Sequence, residues 1–186
     1  MRVISGEAKG QRLKVPKGQS VRPTTDRIKE SVFNSLQNYI AESCVVDLFS
    51  GSGSLGIEAL SRNAKQVYFV EMSNTHANCI QKNLEKTRFT EKAVIVQRDI
   101  KAGIKWLNCH KITADLIFMD PPYDQNLVEE TIYFLSNHDI MKNQGILVVE
   151  HSCTERIPEI IGKYKCIKQK KYGNTCVTYF EKGEYQ

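Results

Sequence analysis

Continuous apolar runs and helix-spaced apolar positions alternate along most of this chain. The runs "CVVDLFS", "QVYFVEM", "AVIVQRD", "ADLIFMD" and "GILVVEHS" are apolar on successive positions and read as strands buried on both faces. Between them, "SLGIEALSRN", "NTHANCIQKNLEKT", "IKAGIKWLNCH" and "NLVEETIYFLSN" place apolar residues three and four apart and read as helices, the third broken or weakened by Gly103. Upstream, "TTDRIKESVFNSLQNYI" predicts a helix with Ile28, Val32, Phe33 and Leu36 on one face, capped by Thr25 or Asp26. "RVISG" and "RLKVP" read as a short N-terminal β-hairpin, "TERIPEII" as a short helical piece, and "YKCIKQKKYG" with "TCVTYFEK" as a closing hairpin.

Strands separated by helices make an α/β fold: a doubly wound, Rossmann-like sheet, mostly parallel, whose C-terminal hairpin strand must run antiparallel. A ligand is then expected beyond the carboxyl ends of the strands, near the switch in strand order. Residues 1–25 are expected to form the hairpin and a substrate loop, and residues 26–186 the main domain.

At 186 residues, 41% hydrophobic and 25% charged, the chain can bury one sizeable core. No run is long enough to span a bilayer, and the first residues hold no apolar signal core, so a cytoplasmic monomer without membrane contact is expected. The six cysteines include no C-x-x-C pair, which favours reduced thiols and no metal centre. The net charge of +5 is uneven. Residues 1–29 carry +6 and residues 161–180 carry +5, so the middle is acidic. Both basic ends are either solvated faces or one phosphate-binding surface.

"DLFSGSGSLG" has the Gly51-x-Gly53-x-x-Gly56 spacing of a dinucleotide loop, preceded by Asp47. A carboxylate beside a pyrophosphate is unfavourable, which argues against hydride transfer from a nicotinamide. S-adenosylmethionine has no phosphate and carries an ammonium that Asp47 can attract, while glycines let the backbone approach. Glu71 at the second strand end suits a ribose diol, and Asp99 at the third suits an adenine amino group.

"DPPY" follows the fourth strand at the same face. An exocyclic base amine is a poor nucleophile because its lone pair is conjugated into the ring. Asp120 and the Pro121 carbonyl, with Pro122 fixing the turn, can accept its hydrogens and stabilise the positive charge that develops on nitrogen. Tyr123 can stack on the base and aim it. His151, after Glu150 on the fifth strand, reads as a strand-end residue rather than a base.

These residues resemble the amino-methyltransferase signature, and more narrowly the RsmD family of 16S ribosomal RNA guanine-N2 methyltransferases. The resemblance runs from "RVISGEAKGQRLKVP" and "RPTTDRIKESVFNSL" through "DLFSGSGSLGIEALSR", "VEMSNTHANCIQKNL" and "LIFMDPPY" to "YGNT". It implies S-adenosyl-L-methionine held by Asp47, Phe49, Gly51, Gly53, Glu71, Asp99 and Ile100. The catalytic set is Asp120, Pro121, Pro122 and Tyr123. The partner it implies is 16S rRNA in an assembled or assembling small ribosomal subunit, contacted through Arg12, Lys14, Arg22, Thr24, Thr25, Arg27, Tyr172 and Asn174. Ser50 and Lys9 depart from the family's usual alanine and arginine. Adenine-N6 transfer to DNA or RNA remains open, since the DPPY set does not name the base. A non-catalytic RNA-binding assembly factor is the alternative of another class.

Overall fold

The computed structural model describes residues 1–16, 26–122 and 127–183. The chain forms α1 (Asp26–Ser35), α2 (Gln37–Ile40), β1 (Cys44–Leu48), α3 (Ser54–Ser61), β2 (Gln66–Val70), α4 (Asn74–Thr87) and β3 (Ala93–Val96). It continues with α5 (Ile100–Cys109), β4 (Ala114–Met119), α6 (Leu127–Ser136), β5 (Met141–Ser152), β6 (Ile160–Ile161), β7 (Tyr164–Tyr172) and β8 (Thr175–Lys182). One eight-stranded sheet runs in the order β3-β2-β1-β4-β5-β8-β7-β6. The first five of these strands are parallel, and β8, β7 and β6 are added antiparallel. Strand order reverses between β1 and β4, which fixes the crevice where such sheets take ligands.

Alternate residues of each strand face opposite sides, so two cores form. On one side Val45, Phe69, Leu116, Phe118 and Val148 pack against α1, α3 and the N-terminal segment, whose Val3, Ala8 and Leu13 join the same core. The Phe33 ring of α1 lies 5.3 Å from that of Phe118. On the other side Val46, Leu48, Val70, Ile117 and Leu147 pack against Ile104 and Leu107 of α5 and Val128, Ile132 and Leu135 of α6.

Four readings are corrected by the fold. The N-terminal arms pair only around one bridge, Arg2 to Arg12, because their remaining amides bond elsewhere: Ile4 and Ser5 to Glu58, Ala8 to Ser61 and Lys14 to Asn83. Helix α5 is unbroken at Gly103, since the missing side chain admits Val70: a Cβ there would sit 2.4 Å from Val70 Cγ1. Residues 153–159 are turns and irregular chain rather than helix. Pro158 denies Ile157 the helical region, and Ile160–Ile161 pair with β7 instead. Finally, Cys153 and Cys176 form a disulfide, although they are 23 residues apart. The register sets His151 opposite Cys176, and the turn that begins at Cys153 then brings its Cα to 5.0 Å from that of Cys176. Cys44, Cys79, Cys109 and Cys166 are free thiols.

Candidate active site

The parallel register aligns the carboxyl ends of β3, β2, β1 and β4. Val96 pairs with Val70, Val70 with Leu48, and Leu48 with Met119. Glu71 and Asp120 therefore leave the strand ends on either side of β1 at one level, flanking the loop that follows β1. Asp47 lies inside β1, one residue before the end, and is 1% exposed. Its Oδ2 accepts the Gly56 N–H at 2.9 Å. Burial pushes its pKa up to about 8; the Gly56 bond opposes the shift, and the charge of nearby Glu71 adds to it.

The loop itself turns through three positive-φ residues, Phe49, Gly51 and Gly53. Gly53, at φ 77°, is the N-cap of α3. Gly56 lets that helix lie on the sheet: a Cβ there would meet the Phe69 ring at 2.3 Å. Glu71 braces the loop from β2. One carboxylate oxygen accepts Gly51 N–H at 2.9 Å and the other Ser73 N–H at 2.8 Å. His76 Nδ1 lies 3.6 Å from the first of these. Asp99 does not end β3 but caps α5, accepting Ala102 N–H at 2.8 Å. Ile100 opens that helix and, like Phe49, packs against the second core. Asp120 and Pro121 follow β4 directly, Pro121 buried and Pro122 exposed. Tyr123 lies outside the described residues, as do Arg22, Thr24 and Thr25.

The two basic ends meet around α1. Arg2 Nε bonds Asp26 at 3.1 Å where α1 begins, and Lys170 Nζ donates to Ser35 Oγ at 2.9 Å where it ends. Tyr172 bonds Ser31 through its hydroxyl and rests on the core, so its ring is largely committed to packing. Asn174 is exposed. Arg27 is exposed beside a cleft of about 470 Å³ that Arg2 and Lys9 also line. Arg12 and Lys14 are exposed on either side of buried Leu13, and Lys86 of α4 reaches the Arg12 carbonyl at 2.7 Å. His151 is 1% exposed, with Nε2 on Thr178 Oγ1 at 2.8 Å and Nδ1 on the Ser152 carbonyl at 2.9 Å. Burial pushes its pKa down, against the bond to the Ser152 carbonyl.

Sequence reasoning missed the polar groups beneath the site. Lys29 and Glu58 are fully buried and 3.4 Å apart, and Glu58 also accepts from Ile4, Ser5 and Arg62. Asn83, also fully buried, bonds both Lys14 and Ser52. The only available signal was a polar residue at an apolar helix position, which does not name its partner.

Residues 1–181 match the family described as Conserved hypothetical protein 95. The chain is 37% identical over 176 residues to ribosomal RNA small subunit methyltransferase D of Haemophilus influenzae, covering 93% of this chain and 89% of that one. Its counterpart of the same name in Escherichia coli K12 is 29% identical over 182 residues, covering 98% and 90%. The solved structure of Escherichia coli yhhF superposes with a TM-score of 0.84 at 31% identity, covering 98% of this chain and 97% of that one. Sequence and fold agree over nearly the whole length, and the chain belongs to the RsmD family of methyltransferases, the family described as Conserved hypothetical protein 95.

Proposed function

We propose that this protein transfers a methyl group from S-adenosylmethionine to the exocyclic N2 amine of a guanine in 16S ribosomal RNA of the small subunit. The observation that carries the reading is the adjacency of two strand ends. The parallel pairing of β1 with β4 sets Asp120-Pro121-Pro122 beside the glycine loop. The names of the relatives from Haemophilus influenzae and Escherichia coli support an rRNA substrate and methyl transfer.

The residues present fit this cofactor better than a dinucleotide. Two carboxylates, Asp47 and Glu71, stand at the glycine loop close enough for Glu71 to raise the Asp47 pKa. A bound ammonium would relieve that repulsion, whereas a pyrophosphate would add to it. Asp47 would hold the ammonium and Glu71 the ribose, with Asp99 at the adenine and Phe49 and Ile100 along its flanks. Gly51 and Gly53 allow close backbone approach. The cofactor supplies an electrophilic methyl group.

Asp120 and the Pro121 carbonyl accept the hydrogens of the base amine and favour the developing positive charge. Tyr123 stacks on the base, which must be unpaired or extruded to reach a pocket at the strand ends. Arg12, Lys14 and Arg27 hold phosphates, and Arg22, Thr24, Thr25 and Asn174 also contact the RNA. Mapping methylated nucleotides in 16S rRNA after incubation with small subunits lacking the modification tests the reading. N2-methylguanine is expected at one position. N6-methyladenine would favour the adenine reading, and no methylation would favour a non-catalytic assembly factor.

A further inference from the structure

Asn83 of α4 is fully buried, yet all of its amide is used. Its Oδ1 accepts Lys14 N–H at 2.8 Å. Its Nδ2 donates to the Lys14 carbonyl and to the Ser52 carbonyl, both at 3.0 Å. An asparagine is suited to this because one planar group offers two donors and an acceptor; aspartate keeps the shape and loses the donors. Ser52 stands between Gly51 and Gly53, both at positive φ. The peptide that carries the Ser52 carbonyl also carries Gly53 N–H, which donates to Ser50 at 2.7 Å. Asn83 thus sets the plane of the peptide from which α3 starts.

A second buried bridge flanks the same glycine. Lys29 Nζ donates to the Arg2 carbonyl at 2.6 Å and to Ser54 Oγ at 3.2 Å. The residues on both sides of Gly53 are therefore held by buried side chains that also hold the main chain of the N-terminal segment. The outward side chains of that segment include Arg12 and Lys14, and Lys86 closes over the Arg12 carbonyl.

We propose that Asn83 is a positioning residue that couples RNA engagement by the N-terminal segment to cofactor binding at the glycine loop. The inference rests on the functional reading above for what each side binds. Phosphates gripped by Arg12 and Lys14 hold in place a segment whose backbone is bonded to Asn83. The Asn83 amide then holds the Ser52–Gly53 peptide in its binding geometry, so each ligand strengthens the other.

The test is calorimetric affinity for S-adenosylhomocysteine, with and without saturating 16S rRNA transcript, for the full chain and for Asn83→Asp. RNA should raise the affinity of the parental protein at least about fivefold, and S-adenosylhomocysteine should raise RNA affinity by the same factor. In Asn83→Asp the affinity without RNA should fall about tenfold, and the RNA-induced gain should shrink below about twofold. A merely structural asparagine would lower the melting temperature and leave that gain intact, which overturns the proposal while the functional reading stands. A parental protein that binds S-adenosylhomocysteine but no rRNA defeats the RNA reading itself, and the coupling with it. Should Asn83→Asp fail to fold, hydrogen exchange in the parental chain decides. RNA must slow exchange of the amides of residues 50–56, and unchanged exchange overturns the coupling.

Discussion

Lys29 Nζ lies 3.4 Å from Glu58 Oε2, and neither side chain has any exposure. Glu58 also accepts from the Ile4 and Ser5 amides, so the pair anchors the N-terminal segment to α3. Glu58→Ala leaves a buried ammonium without its carboxylate and should cost about 3–5 kcal/mol. Burial already holds the Lys29 pKa below its ordinary value, against the pull of Glu58. The unfolded state therefore binds the extra proton in the window below that ordinary value, and stability rises with pH there. Removing Glu58 lowers the pKa further, so the variant should regain stability more steeply on the alkaline side. Urea melts at neutral and alkaline pH read both effects; a loss within experimental scatter would show the pair to be inconsequential.

Burial pushes the Asp47 carboxyl up to about 8. Its folded pKa exceeds its unfolded one, so the native state keeps a proton that the unfolded chain has released. Stability should therefore fall as pH rises from about 4 to about 8, and Asp47→Asn should flatten that slope and gain a few kcal/mol at the alkaline end. A cofactor ammonium favours the carboxylate, so binding S-adenosylhomocysteine at neutral pH should release roughly one proton from this group. Calorimetry in buffers of different ionisation heat measures the release. Equal release from Asp47→Asn would remove Asp47 from the cofactor site.

Asp120→Ala should leave cofactor affinity nearly intact and slow methyl transfer by about a hundred- to a thousandfold, the scale of one preorganised transition-state contact. Tyr123→Ala should weaken RNA positioning by about 1–3 kcal/mol of stacking instead. Single-turnover methylation at saturating cofactor separates the two. Parental rates in Asp120→Ala would reduce the DPPY set to a turn.

Binding of 16S rRNA should weaken steeply with salt, because each phosphate neutralised releases condensed counterions. Arg12 and Lys14 stand exposed on one segment. Replacing both with glutamine should flatten the slope of log affinity against log salt by about 1–2, with S-adenosylhomocysteine affinity in the absence of RNA unchanged. A slope identical to that of the parental protein would make these residues a solvated face.

Periodicity by itself determined the alternating strands and helices. Apolar runs such as "CVVDLFS" can be satisfied only in a strand covered on both faces, and the helical stripes supply the cover. The same local rule made the acids at 71 and 120 legible, because residues at successive strand ends share one edge of a parallel sheet. Tertiary structure decided the rest. The N-terminal arms read as a hairpin because alternation reports side chains, not the destination of each amide; Glu58, Ser61 and Asn83 claim amides that a longer ladder would have used. Asp99 moved from strand end to helix cap because β3 stops at Val96, and a short polar side chain finds a nearby free amide. The Cys153–Cys176 bond and the Asn83 bridge join residues 23 and more positions apart. No local pattern encodes such pairs, since they exist only once the sheet register has brought distant segments together.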